Sequence, residues 1–170
     1  VEDKLVQMAA SRILEAIYEA DFQDSRLGYQ PGRAARAATQ QLQHGLFHGR
    51  IGWIVEADIE GFFDHLDHDW LVKMLEQRVN DRSFLRLIRK WLKAGILEED
   101  GLVLHPATGT PQGGIISPVL ANIYLHYVLD LWTERTVRRG CRGQMQYMRY
   151  ADDFVCGFEA ETEACRYLDE

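Results

Sequence analysis

MRYADDFVCGF, residues 148–158, joins two apolar and aromatic runs through Ala151, Asp152 and Asp153. The runs read as strands of an antiparallel hairpin spanning about Tyr147 to Phe158, with both acids at its bend. Such turns usually recruit Gly or Asn to supply positive φ, so two adjacent carboxylates beside Ala151 are a poor choice for stability. Like charges this close also repel. A solvated acidic turn is the plain alternative for this pair taken alone.

Upstream, IGWIVEADI (residues 51–59) is β-branched and aromatic, too short for a good helix, and reads as a largely buried strand with Asp58 near its end. A carboxylate there must lie at a sheet edge, pair with a cation or be costly, although an ordinary acid capping the next turn is the simpler alternative. A strand ending in Asp58 beside a hairpin tipped by Asp152 and Asp153 would bring three carboxylates to one spot. Oxygen-only ligands suit Mg²⁺ or Mn²⁺ better than Zn²⁺, since no Cys or His stands at zinc spacing. Two such ions about 4 Å apart serve in-line phosphoryl displacement, which makes nucleotidyl transfer the matching reaction class.

The rest of the chain reads mostly as helix. Leu5, Met8, Ala9, Ile13, Ala16, Ile17 and Ala20 recur at helical spacing. Gly28, Pro31 and Gly32 break that pattern before a second helix from Arg33 to about Phe47. Asp67 caps a helix through Leu71, Met74, Leu75 and Val79, and Asp81 or Ser83 starts another through Leu85, Ile88, Trp91 and Leu92, stopped near Gly95. Residues 96–105 suggest a hairpin turning at Asp100 and Gly101. After the loop GTPQGG, Ser117 and Pro118 announce a helix through Leu131, and Glu161 opens a last one. Several helices with a few strands mean α+β or α/β.

With 170 residues, 46% apolar and 26% charged, the composition excludes disorder, collagen and a disulfide miniprotein. Cys141, Cys156 and Cys165 leave one thiol over in any disulfide scheme and favour a reducing setting. A net charge of −7, from 26 acidic against 19 basic residues, argues against nucleic-acid binding through bulk positive charge; any such grip must be local. The least charged run, Gly113 to Leu129, holds Ser117, Pro118, Asn122 and His126 and suits a core helix better than a membrane span, so a soluble chain is expected. Opening at Val1 inside one helical pattern and closing at Glu170 inside another, it is expected to be a segment of a longer protein.

Three stretches, VEADIEGFFDHLDHDWL (55–71), GTPQGGIISPVLANIYLHYVLD (109–130) and MRYADDFVCGF (148–158), closely resemble reverse transcriptases, in particular proteins encoded by bacterial group II introns. A fourth, DFQDSRLGYQPGRAARAA (21–38), resembles a further block of that family, with Gln30 where the family often has Arg. The resemblance implies an α+β fold, the palm of a right-hand polymerase: a small antiparallel sheet backed by helices. Residues 1–50 would be partial fingers and 51–170 the palm, ending before the thumb. It implies RNA-templated DNA synthesis in a bacterial cytoplasm on an intron RNA template, with a DNA or RNA primer and dNTPs as further partners and no membrane. Mg²⁺ is the implied cofactor, with Mn²⁺ able to substitute.

By resemblance, Asp58 and Asp152 are the principal metal ligands, the backbone carbonyl of Ile59 helps hold the triphosphate-bound metal, and Asp153 completes the acidic cluster. Phe63 matches the family's sugar gate: an aromatic ring under the sugar leaves no room for a 2′-hydroxyl. Pro111, Gln112 and Gly113 resemble the loop that touches incoming nucleotide and template, where glycines permit close backbone approach. Arg33, with Arg36 one turn on, is the basic candidate for template or phosphate. Little polymerase activity is expected from this stretch alone. The alternatives are a maturase-type RNA-binding scaffold or interaction module, an RNA-templated RNA polymerase, and a nucleotidyl cyclase; retron and CRISPR-associated reverse transcriptases share the core.

Overall fold

The computed structural model describes residues 2–22, 35–93, 96–97, 103–104, 108–110 and 114–169. In chain order the elements are α1 (Glu2–Tyr18), α2 (Ala35–His48), β1 (Trp53–Ala57), α3 (Phe62–His65), α4 (His68–Leu75), α5 (Arg82–Leu92), β2 (Ile96–Leu97), β3 (Val103–Leu104) and α6 (Ser117–Leu125). Two π-helical stretches, His126–Asp130 and Thr133–Val137, follow, then α7 (Arg138–Gly140), β4 (Met145–Tyr150), β5 (Asp153–Phe158) and α8 (Glu161–Asp169). This mixture of helices with a small antiparallel sheet is the α+β class expected. The chain divides into two compact units, one of Val1–Asp21 with Glu60–Tyr124, the other of Phe22–Ile59 with Leu125–Glu170.

The first unit holds α1, α3 to α6 and the β2–β3 pair. Its core is aliphatic: Leu14, Leu66, Leu71, Leu75, Ile88, Leu92, Leu120 and Ile123 are all under 2% exposed. Local sequence starts α4 and α5 as anticipated. The Asp67 carboxylate accepts from the Trp70 amide at 2.8 Å, and Asp81 from Ser83 and Phe84 at 2.8 and 3.1 Å, satisfying amides that a helix start leaves unpaired. The buried Tyr18 hydroxyl donates to the Met74 carbonyl at 3.1 Å, fastening α1 to α4.

The second unit is built on a three-stranded antiparallel sheet in the order β1-β5-β4. β5 pairs β1 from Trp53↔Phe158 to Ala57↔Phe154, and β4 from Met145↔Phe158 to Tyr150↔Asp153. Phe158 and Cys156 are fully buried, and Tyr167 of α8 packs its ring 5.4 Å from both Phe158 and Trp132. One expectation fails here. β1 is shorter than residues 51–59 and is not largely buried: Trp53 and Ile54 are 44% and 56% exposed, and only Val55 of the strand is buried. An edge strand bonds a neighbour on one side only, and burial of its faces depends on tertiary placement that hydrophobic runs do not encode.

Candidate active site

The β4–β5 hairpin turns in two residues, Ala151 and Asp152, because Tyr150 already pairs with Asp153. Asp153 is therefore the first residue of β5, and only Asp152 sits in the bend, where the sequence reading put both acids. Ala151 carries a φ of 59°, the one positive φ at a non-glycine among the described residues. A positive φ at the first central position and not the second is the sign pattern of a type II′ turn, which ordinarily takes Gly there.

The β1–β5 register ends at Ala57↔Phe154, so the next step in that register sets Asp58 level with Asp153. Asp58 and Asp153 are exposed, while Asp152 and Ile59 are half-buried. The Asp153 carboxyl is held above the usual aspartate range, first by loss of solvent around it and then by the negative charges of Asp58, Asp152 and Glu56. The sheet thus draws a fourth acid, Glu56, into the electrostatics of this corner. Hard carboxylate oxygens of like charge are a donor set that suits Mg²⁺ or Mn²⁺, because a divalent cation relieves their repulsion. Among the described residues no three His, Cys, Asp or Glu side chains stand close enough to hold a metal ion between them.

Behind the turn lies a network that the sequence reading missed. Arg149 is fully buried, and its guanidinium donates to both carboxylate oxygens of Asp130, at 2.7 and 2.6 Å. Its remaining nitrogen donates to the Ala151 carbonyl at 2.7 Å, and the Tyr147 hydroxyl donates to Asp130 at 2.6 Å. Burial works against the charge on Arg149, but the hydrogen bonds and charge of Asp130 outweigh it and leave its pKa raised. Burial likewise pushes the Tyr147 hydroxyl upward, so it stays a donor. Arg149 thereby ties the strained turn to the helical stretch His126–Asp130. A lone Arg inside a strand-like run, and a lone Asp closing YLHYVLD, were the signals available.

In the first unit, Phe63 lies in α3, whose start at Gly61 takes a φ of 61°, and its ring packs on Phe62 with centroids 5.4 Å apart. The backbone of 108–110 is stitched alongside: the Gly109 amide donates to the Leu66 carbonyl at 2.7 Å and the Thr110 amide to the Phe63 carbonyl at 2.8 Å. The chain leading into the GTPQGG loop is therefore bonded to Phe63. Gly109 has a φ of 91°, and a Cβ there would stand 2.9 Å from the Phe63 and Asp64 carbonyl oxygens. Pro111, Gln112, Gly113 and Arg33 lie outside the described residues, as does the Asp100–Gly101 turn.

The reverse transcriptase (RNA-dependent DNA polymerase) family profile matches residues 1–170. The chain is 33% identical over 224 residues to the group II intron-encoded protein LtrA of Lactococcus lactis subsp. cremoris, covering 99% of this chain and 37% of that protein. It is 35% identical over 199 residues to protein YkfC of Escherichia coli (strain K12), covering 98% of this chain and 51% of that protein. The chain thus spans between about a third and a half of these relatives' lengths. Among solved structures, the apo telomerase of Candida tropicalis, truncated from its C-terminal domain, aligns with a TM-score of 0.67 at 12% identity, over 95% of this chain and 36% of that one, a likeness of fold. With the acid-tipped hairpin, its flanking strand and a family match over its whole length, this chain belongs to the reverse transcriptase family.

Proposed function

We propose that this chain is the catalytic-core stretch of an RNA-directed DNA polymerase of the group II intron type, joining dNTPs to a primer 3′-hydroxyl on an RNA template, the intron RNA among them. The observation that carries the reading is the β1–β5–β4 register, which brings Asp58 level with Asp153 and leaves Asp152 at the turn. Asp58 and Asp152 would be the principal ligands of Mg²⁺, with the Ile59 carbonyl beside Asp58 and Asp153 completing the negative corner. Bound there, the cation would supply charge neutralisation at the transferring phosphate and activation of the primer hydroxyl. The protein's own part is positioning: Arg149 holds the Ala151 carbonyl and with it the Asp152 turn. Phe63 would exclude a 2′-hydroxyl from the sugar site, and Pro111, Gln112 and Gly113 would meet nucleotide and template, with Arg33 on phosphate. In this reading residues 1–50 belong to the fingers and 51–170 to the palm. The setting of this reading is a bacterial cytoplasm; similarity to proteins of Lactococcus lactis and Escherichia coli supports the bacterial part. Among the described residues no helix is long and apolar enough to cross a membrane.

Mn²⁺ titration followed by paramagnetic NMR broadening tests the reading. Broadening centred on Asp58, Asp152 and Asp153, lost in both Asp58→Ala and Asp152→Ala, supports it. Broadening that survives both substitutions overturns it and favours the scaffold alternative. Comparing dNTP with NTP incorporation then separates a DNA polymerase from an RNA polymerase.

A further inference from the structure

α5 carries a set of cations that the acidic corner does not use. At about 3.6 residues per turn, Arg82, Arg86, Arg89, Lys90 and Lys93 fall within one arc of about 100°. The opposite side of the helix is Leu85, Ile88, Trp91 and Leu92, all buried, whereas all five cations are exposed. Residues 76–93 hold six Lys and Arg against two acids, in a chain whose net charge is −7. Both acids are engaged: Asp81 caps α5, and Glu76 meets Arg89 at 3.6 Å. Among the described residues, Arg82, Arg86 and Lys90 have no carboxylate partner. Beside this face lies a cavity of about 280 Å³ lined by Glu76, Arg82, Leu85, Arg86 and Arg89: three guanidinium groups with one carboxylate, that of Glu76, around Leu85.

Such an arrangement is unfavourable for the helix alone. Arg82 with Arg86, Arg86 with Lys90 and Arg89 with Lys93 are like charges at i,i+4 spacing, which weaken an isolated helix. A bound polyanion removes that repulsion. We propose that this face of α5 is a docking surface for the phosphate backbone of RNA. Guanidinium groups match phosphate oxygens bidentately, and the stripe from Arg82 to Lys93 rises about 16 Å, enough to follow several phosphates of one strand. A lipid surface fits poorly, because membrane-binding amphipathic helices insert their apolar face and here that face fills the core. The choice of RNA among polyanions rests on the proposed function; the binding itself needs neither metal nor dNTP.

The test is fluorescence anisotropy of a labelled oligouridine in EDTA over a salt series, comparing the wild-type chain with Arg82→Gln/Arg86→Gln. Gln is a good helix former, so the exposed double substitution keeps α5. Log affinity against log salt is expected to flatten by about 1.4, or about 0.7 for each lost single-strand phosphate contact, with about a tenfold loss of affinity at low salt. Lys4→Gln/Arg12→Gln, which removes the same charge from exposed positions of α1, is expected to leave the slope unchanged. Three results overturn the proposal: an unchanged slope and affinity in the α5 variant, equal flattening in the α1 variant, or no RNA affinity in the wild type. Loss of RNA binding in the α5 variant together with absent Mn²⁺ focusing would retain the docking surface and reject the catalytic reading.

Discussion

Arg149 shows how one side chain serves both the fold and the turn. It neutralises Asp130 in a site with no access to water, and it is the donor that holds the Ala151 carbonyl. Arg149→Met leaves Asp130 buried without its counter-charge, a loss of about 3–5 kcal/mol, so the melting temperature is expected to fall by roughly 10 °C. Asp130→Leu/Arg149→Met removes both charges and is expected to regain part of that stability. Its turn stays untethered, so Mn²⁺ affinity at Asp152 is expected to remain about tenfold or more below wild type. Thermal melts and Mn²⁺ titration of the two variants separate the roles; full recovery of Mn²⁺ affinity in the double variant would remove Arg149 from the site's positioning.

Asp153 makes the opposite case, a charge that the fold disfavours. Its carboxyl is raised by desolvation and by Asp58, Asp152 and Glu56, so its contribution is most favourable below the ordinary aspartate pKa and is lost as pH rises through the raised value. Asp153→Asn is therefore expected to raise the melting temperature at neutral pH, by no more than about 2 °C because the group is exposed, with the gain vanishing below the ordinary aspartate pKa, at about pH 3. Melting curves of wild type and variant at both pH values check this. A variant less stable than wild type at neutral pH contradicts the assignment.

Elements differ in how openly the sequence announces them. Asp67 and Asp81 cap α4 and α5 as their spacing predicts, because capping is settled within four residues. The β4–β5 hairpin was legible for the same reason: its partners are adjacent in the chain. The exposure of β1 and the Arg149–Asp130 pair were not, since the first depends on sheet position and the second on packing across 19 residues. Placing both acids in the bend was an error of register by one residue, which period-2 reasoning cannot exclude without the turn type. The stitch of Gly109 and Thr110 onto Leu66 and Phe63 is likewise tertiary. At a φ of 91°, with two carbonyl oxygens 2.9 Å from a new Cβ, Gly109→Ala is expected to cost about 1–3 kcal/mol, read as a lowered denaturation midpoint. A variant as stable as wild type would show that this backbone relaxes freely.

For the molecule as a whole, charge sets the terms of any grip on nucleic acid. The net charge is −7, so long-range attraction to phosphate is weak, and on the proposed function, template would be held by local clusters such as the exposed face of α5. Few phosphate contacts mean an affinity that is already low at modest salt and falls further as salt rises, since each contact releases condensed counterions when it forms. The chain spans 37% of the length of its Lactococcus relative. Primer extension on an RNA template by the 170-residue chain is accordingly expected to be feeble at about 50 mM salt and absent at about 200 mM. Because the acids of the β1–β5–β4 corner do not depend on those contacts, Mn²⁺ broadening should persist at the higher salt where extension has gone. Robust extension at about 200 mM salt would show that the chain holds template through contacts beyond its local basic patches.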